Sequence, residues 1–387
     1  MRVTHVITRL IIGGAQENTL ATVLGLCRLP GIDIHLLAGP TAGPEGSLES
    51  SLPADPPILT IVPSLVRPVH PLLDPVALLR LTRIFRATRP DLVHTHSGKA
   101  GFLGRWAAHR AGVPLIVHTI HGPSFGPFQG SLPNALFAGA ERFAAHFTTH
   151  FVSVADAMTR QYLAAGIGRP AQYSRIFSGF ALEPFLTAEN DPSFRARFNL
   201  APDDFVIGKI SRLFKLKGHD DLLDIAPDFL RQCPRAKFLF VGDGAWRERL
   251  QNRVRAMGLE RHFVFAGLVP PAQVPRYVGI MDALVHLSRR EGLARALPQA
   301  LAAARPVVAY DCDGAGEVCF DNETGFLLPP GDRAMLAQRL RQLAGDPELR
   351  RRLGQRGRQF VRQRFAVETM VENLRALYLK LSADAKL

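Results

Sequence analysis

The sequence predicts an α/β protein built from two doubly wound, parallel-sheet lobes. Three observations predict it. A chain of 387 residues is too long for one ordinary core and fits two domains of a little under two hundred residues each. The first half alternates short β-branched runs with helical patterns, and the second half repeats that scheme without an obvious residue-level repeat. The expected boundaries are 1–178 for the first lobe, 179–204 for an interdomain connection, 205–365 for the second lobe and 366–387 for a terminal helix packing back on the first lobe.

In the first half, THVITRL reads as a strand followed by the helix GGAQENTLATVLGLC. DLVHTH then precedes a Gly-rich helix from Ser97, and PLIVHTIHG and HFVSVAD read as further strands. Pro53, Pro56, Pro57 and Pro63 punctuate loops rather than strand centres. From Phe180 to Asp204, Pro184, Pro192 and Pro202 interrupt a segment without a sustained strand, which marks the connection. The second half runs DFVIGKISRL, a helix from near His219 or Asp220, AKFLFVGDG, the helix WRERLQNRVRAMG, HFVFAGL, DALVHLS, the helix RALPQALAAA and RPVVAYD. In VETMVENLRALYLKLS the apolar residues stand three and four apart, so that last helix must pack on something.

A composition of 47% hydrophobic and 21% charged residues, with no biased tract, excludes disordered and fibrous classes. Cys27, Cys233, Cys312 and Cys319 contain no C-x-x-C pair and are expected as reduced, packed thiols. The N-terminus lacks the apolar core and cleavage site of a secretory signal, and no stretch approaches eighteen uninterrupted apolar residues, so a cytoplasmic protein without a spanning helix is expected. The net charge of +13 favours an anionic partner: nucleic acid, a phosphate-bearing substrate or an anionic bilayer. Specific nucleic-acid binding is not expected, because no aromatic-basic recognition motif accompanies the charge. LRRRLGQRGRQFVRQRF, Leu349 to Phe365, spreads Arg over several helical faces and reads as a solvated surface helix, with polyanion or lipid contact as the alternative.

Several motifs carry chemistry. Gly13 and Gly14 open the first helix, where free amides can approach an anion or where the glycines merely turn the chain. The full G-x-G-x-x-G fingerprint is absent, and so is a well-placed acid after the next strand, which argues against a nicotinamide dehydrogenase. Arg212 ends the first strand of the second lobe and Lys217-Gly218 follows. A planar fork of donors and a mobile ammonium can neutralise a diphosphate from two sides at a strand's carboxyl end. Gly242-Asp243-Gly244 makes a tight turn in which Asp243 is expected to cap the following helix, while the glycines could make room for a flat base. Glu291, followed by Gly292, Leu293 and Ala294, stands at the entry to RALPQALAAA, where a carboxylate can accept from sugar hydroxyls while amides hold phosphate. It could also be a first-turn acid that complements the helix dipole. Gln299, eight residues on, is expected on roughly the same helical face as Glu291.

The ordered series GGAQ, SRL…KG, VGDG, F-x-G at Phe265 to Gly267, S-x-x-EG from Ser288 to Gly292, RPVVAYD, Glu317-Val318 and TGFLLPPGD resembles the retaining glycosyltransferases of family 4 over nearly the whole chain. The resemblance implies the GT-B fold, two Rossmann-like lobes facing a cleft that holds a nucleotide-sugar donor, UDP-linked by expectation. It places Arg212 and Lys217 on the diphosphate, Glu291 on sugar hydroxyls, Gly292 to Ala294 as backbone donors, and Gly14 approaching from the other lobe. His121, in HTIHG, matches a histidine beside the donor sugar and the reacting centre. The acceptor side is assigned to His94, His96 and Lys99. His94 and His96, alternating on a strand, are expected to point to opposite faces and so to make a poor metal pair. No metal and no cofactor are expected, the donor being a substrate.

Two residues depart from the family pattern: Gln299 stands where a second Glu is usual, and Ser178-Gly179 where Asn-Gly is usual. Gln can still accept a ribose hydroxyl without the charge-assisted part of the bond, so weaker donor binding is expected. The rivals to transfer are a sugar-nucleotide epimerase of similar architecture and a catalytically idle nucleotide-sugar or carbohydrate binder. For the acceptor, the basic surface and the Phe-rich segment SFGPFQG, Ser124 to Gly130, fit a peripheral enzyme working on lipid-linked sugars at the inner membrane face. A soluble acceptor is the alternative.

Overall fold

Short β-branched runs ending in glycine or a polar turn, each followed by an amphipathic segment, fold as alternating strands and helices. The computed structural model describes residues 1–41, 46–53, 58–126 and 128–386. Pro56 and Pro57, and Pro127 within the Phe-rich segment, lie outside the described residues. The chain begins with β1 (Arg2–Ile7), α1 (Gly14–Cys27), β2 (Asp33–Ala38), β3 (Leu59–Ile61) and α2 (Leu73–Thr88). It continues through β4 (Leu92–His96), α3 (Gly98–Ala111), β5 (Leu115–Ile120), α4 (Ser131–Ala145), β6 (His150–Ser153), α5 (Asp156–Ala164) and β7 (Tyr173–Arg175). Next come α6 (Glu183–Leu186), α7 (Pro192–Ala196), β8 (Phe205–Ile210), α8 (His219–Gln232), β9 (Ala236–Val241) and α9 (Arg247–Ala256). The remainder is β10 (Phe263–Gly267), α10 (Val274–Gly279), β11 (Ala283–His286), α11 (Ala296–Ala302), β12 (Val307–Tyr310), β13 (Gly325–Leu328), α12 (Arg333–Gly345), α13 (Pro347–Arg364) and α14 (Val367–Asp384).

The chain divides into two units, Met1–Phe180 with Val367–Leu387, and Ala181–Ala366. The first holds a seven-stranded sheet in the order β3-β2-β1-β4-β5-β6-β7, every pairing parallel. Its central strands β4 and β5 are buried along their whole length, as parallel strands covered on both faces must be, while the edge strand β3 is largely exposed. The terminal helix α14 lies on α1 and adds Met370, Val371, Leu374, Leu377 and Tyr378 to the core of β1, β2 and α1. Gly25 makes the approach possible: a Cβ there would stand 2.3 Å from Val371 Cγ2. This contact uses the three-and-four spacing of the last segment.

The second unit holds a six-stranded sheet in the order β10-β9-β8-β11-β12-β13, again wholly parallel. In both sheets the chain starts at a central strand, winds outward one way and then returns to wind the other way. The reversal falls between β1 and β4 in one unit and between β8 and β11 in the other. Of residues 179–204, expected as the interdomain connection, 181–204 belong to the second unit and carry α6 and α7; Asp191 caps α7 by accepting from Ser193 and Phe194 N–H. The arginine-rich helix α13 is not solvated all round. Gly354 and Gly357 let it close on Ala304 and Leu301, and Leu349, Leu353 and Val361 are buried, leaving arginines for the outer faces. No helix among the described residues is long and apolar enough to cross a membrane.

Candidate functional site

In doubly wound sheets the loops at the carboxyl ends of the two strands flanking the reversal form the natural ligand crevice, because their helices leave on opposite faces. In the second unit those strands are β8 and β11, and the loops after them carry Arg212, Lys217, Ser288 and Glu291. Lys217 Nζ donates to Glu291 Oε1, and Ser288 Oγ sits 3.3 Å from each of them. The Glu291 backbone N–H donates to Asp313 Oδ2 at 2.7 Å, fastening this loop to the one after β12. Burial works against the Glu291 carboxylate, but the Lys217 ammonium and the bonds from Lys217 and Ser288 outweigh it and hold its pKa below the ordinary value. Arg212 is exposed, with its guanidinium 5.9 Å from the Phe214 ring centroid, and it forms no ion pair among the described residues.

The VGDG turn explains the shape of the Arg212 loop. Leu213 N–H donates to Asp243 O at 2.9 Å and Trp246 N–H to Leu213 O at 3.0 Å. A Cβ on Gly242, whose φ is +131°, would stand 2.2 Å from Ser211 O, and one on Gly244 would stand 2.5 Å from Leu213 O. The glycines therefore admit the neighbouring backbone. Asp243 does not cap α9, whose N-terminus has no side-chain cap; it accepts from Gly244 N–H and pairs with Arg247 at 2.7 Å.

Two further expectations change here. Residues 291–295 are not helical and α11 begins at Ala296, so helical phase does not bring Glu291 and Gln299 onto one face. The loop instead bends over Ser288, and Gln299 stands half-buried in the middle of α11. Gly292, Leu293 and Ala294 are buried in that loop.

Beneath the pair lie residues that the sequence reading passed over. Lys209, in the apolar run FVIGKI, is 1% exposed and its ammonium has no hydrogen-bond partner among the described residues. Burial, and then the charge of Lys217, bring its pKa down to about 7, against the pull of Asp221 and Glu291. His286 at the end of β11 is also buried, and burial lowers its pKa to about 3. A single charged residue inside an apolar strand was the available signal.

In the first unit the reversal between β1 and β4 carries histidines. His94 and His96 do not point to opposite faces: residues two apart on a strand share a face, and their rings stack with centroids 4.4 Å apart. Both are buried, at 0% and 1% exposure, so neither lines an open acceptor surface. His94 bonds the Tyr378 hydroxyl and Thr119 Oγ1, while His96 bonds His5 at 2.9 Å and His121 at 3.1 Å. His5, His94 and His96 hold ring nitrogens within 4.8 Å of one another, but those bonds engage nitrogens of all three. Lys99 is committed to Asp74 and to Pro68 O. Gly13 precedes α1 in extended backbone that any residue adopts, and Gly14 is exposed at the first helical position. Cys27 is exposed rather than packed, Cys233 and Cys312 are half-buried and Cys319 is buried, all as free thiols.

Two wholly parallel, doubly wound sheets define a two-lobed α/β protein, and comparison with known proteins makes the class specific. Residues 13–176 match the model for the glycosyl transferase 4-like domain and residues 190–360 that for glycosyl transferases group 1. The chain belongs to the family 4 glycosyltransferases. It is 26% identical over 336 residues to the UDP-Gal:α-D-GlcNAc-diphosphoundecaprenol α-1,3-galactosyltransferase of Escherichia coli, covering 86% of this chain and 85% of that one. It is 28% identical over 261 residues to a GDP-mannose-dependent α-mannosyltransferase of Mycobacterium tuberculosis, covering 66% and 65%. The structure of HepE from Anabaena in complex with UDP-glucose superposes with a TM-score of 0.80 at 23% identity, covering 98% of this chain and 100% of that one. The fold is GT-B.

Proposed function

We propose that this glycosyltransferase moves a sugar from a UDP-linked donor to an acceptor hydroxyl with retention of configuration, using no divalent ion. The observation that carries the proposal is the Lys217–Glu291 pair at the carboxyl ends of β8 and β11, with Arg212 exposed in the same loop as Lys217. Departure of a nucleoside diphosphate builds negative charge on phosphate oxygens. A planar guanidinium and an ammonium carried by the loop after β8 stabilise that charge once the ammonium exchanges Glu291 for the diphosphate. In the resting site the Lys217 charge is matched by Glu291. When the donor binds, Lys217 turns to the diphosphate, Glu291 accepts from sugar hydroxyls, and the amides of Gly292, Leu293 and Ala294 assist.

His121 is assigned a place beside the donor sugar and Gln299 one at the ribose. The departing phosphate oxygen takes the acceptor's proton, which leaves no need for a carboxylate nucleophile. The UDP assignment is supported by the relative of E. coli, whose name gives UDP-galactose as donor; the mannosyltransferase, named for GDP-mannose, marks the competing choice. A panel of nucleotide sugars scored by nucleoside diphosphate release, with and without EDTA, tests donor and metal independence together. Release with GDP sugars alone would refute the UDP reading, and loss of release in EDTA would refute the metal-free one.

For the acceptor we propose a lipid-linked sugar at an anionic membrane surface, the class named for the E. coli relative. In the Phe-rich segment Phe125 is buried against Tyr162, with ring centroids 5.0 Å apart, and so offers no membrane contact of its own. Exposed apolar side chains stand on α4, with Leu132, Leu136, Phe137 and Phe143 at 69%, 65%, 39% and 46% exposure, and also on α2 and the turn before it, with Val69, Leu72, Val76 and Leu79 at 74%, 74%, 42% and 47%. An amphipathic helix of this kind on a cation-rich chain suits a bilayer surface. Flotation with anionic vesicles at low salt tests it, and a protein that stays at the bottom of the gradient counts against the membrane reading.

A further inference from the structure

Histidines of the first unit form a connected row. His5 Nδ1 on β1 lies 2.9 Å from His96 Nε2 on β4, and His96 Nδ1 lies 3.1 Å from Nε2 of His121, just past β5. Neighbouring rings are nearly parallel, at 14° between His5 and His96 and 29° between His96 and His121. His5 is fully buried, His96 is 1% exposed and His121 is half-buried, so the row runs from the sheet interior toward the surface.

A neutral imidazole has one N–H and one lone pair. A row joined nitrogen to nitrogen therefore has two consistent proton arrangements, with every N–H directed outward or every N–H directed inward. The inward arrangement would place the His5 proton on Nε2, which is buried and has no hydrogen-bond partner among the described residues. The outward arrangement leaves only a lone pair there and avoids an orphaned buried N–H. Burial keeps both interior rings neutral near pH 7. His94 beside them is occupied by Tyr378 and Thr119 and does not interrupt the row.

We propose that His5 and His96 are positioning residues that hold His121 as its Nδ1–H tautomer, accepting at Nε2, so that one ring orientation meets the reacting sugar in each turnover. The proposal rests on the role assigned to His121 above. Without the row, the ring could flip or change tautomer, and both would have to be reset before each transfer.

The test is ¹⁵N-histidine NMR of the whole protein joined to kinetics with the nucleotide sugar that gives diphosphate release. In the wild type, His121 Nε2 should show the shift of an unprotonated nitrogen. His5→Leu removes the innermost donor; His121 should then show averaged nitrogen shifts, with kcat down by about tenfold and donor KM within about threefold. His5→Asn, whose amide nitrogen occupies the Nδ1 place, should restore both readouts. His5→Gln keeps a buried polar group but moves the amide to the Nε2 place; it should behave like His5→Leu and serves if that variant does not fold. An unchanged His121 tautomer with unchanged kcat in a folded His5→Leu or His5→Gln would overturn the proposal. The NMR reading needs no substrate: a fixed tautomer in a protein that releases no diphosphate from any donor would instead overturn the proposed reaction.

Discussion

Lys217 and Glu291 are an ion pair although 74 residues separate them, because β8 and β11 are neighbours at the reversal of the sheet and each feeds one partner into the same loop cluster. Each side chain is thereby discharged by the other until a ligand offers both something better. Lys217→Ala should lower nucleoside diphosphate release on the order of a hundredfold. Glu291→Gln, which keeps an acceptor oxygen but frees the ammonium, should cost less in diphosphate affinity than in turnover. Titration calorimetry with the diphosphate, alongside release kinetics, checks both; equal losses in affinity and turnover for Glu291→Gln would contradict a sugar-side role.

Gln299 stands half-buried on α11 and is uncharged where a second acid is usual. If it meets a ribose hydroxyl, Gln299→Glu adds a charge-assisted bond worth on the order of 1 kcal/mol. Nucleoside diphosphate affinity should rise several-fold. No rise means that the nucleotide is held elsewhere.

Lys209 shows its charge in the pH dependence of stability. In the folded protein its pKa is about 7, whereas unfolded lysine titrates near 10.4. Below about 7 both states carry the proton, and the cost of burying the charge beside Lys217, Asp221, Glu291 and His219 is at its full size. Between about 7 and about 10 the unfolded chain binds more protons, so this group makes stability rise with pH. Lys209→Met should therefore raise the melting temperature most at pH 6 to 7 and progressively less toward pH 10. A gain independent of pH would show that packing rather than charge is responsible.

The buried histidines act in the opposite range. His5 has a folded pKa of about 3 and His286 likewise, while His94, His96 and His118 also lie well below 6.5, all chiefly through burial. Above pH 6.5 they are neutral in both states and contribute no pH dependence. As pH falls from 6.5 toward 3 the unfolded chain takes up protons that the folded chain refuses, so stability drops steadily. Denaturant melts at pH 7.5, 5.5 and 4.5 should show this loss, and His5→Asn should lessen it by the share of one histidine. A stability curve level down to pH 4.5 would contradict the neutral buried set.

Much of the fold was legible in the sequence. THVITRL, DLVHTH, DFVIGKISRL and DALVHLS are dense enough in β-branched and apolar residues to mark strands, and the segments between them carry helical spacing, so a doubly wound pair followed from local pattern. Arg212, Lys217 and Glu291 were legible too, because residues at strand ends are placed by the fold class itself. The errors came where a local rule met a neighbour. Asp243 reads as a cap until Arg247 is seen beside it, and Phe125 reads as a membrane contact until Tyr162 covers it.

By itself, then, the sequence determined the alternation of strand and helix, the position of the strand-end cations and the family, since all of these rest on spacing along the chain. Tertiary structure alone decided that Lys217 is discharged by Glu291, that Gly242 and Gly244 hold the Arg212 loop, and that His5, His96 and His121 share one row of hydrogen bonds. Those relations join residues brought together by the winding order of the sheets. No periodicity along the chain records which strand becomes the neighbour of which.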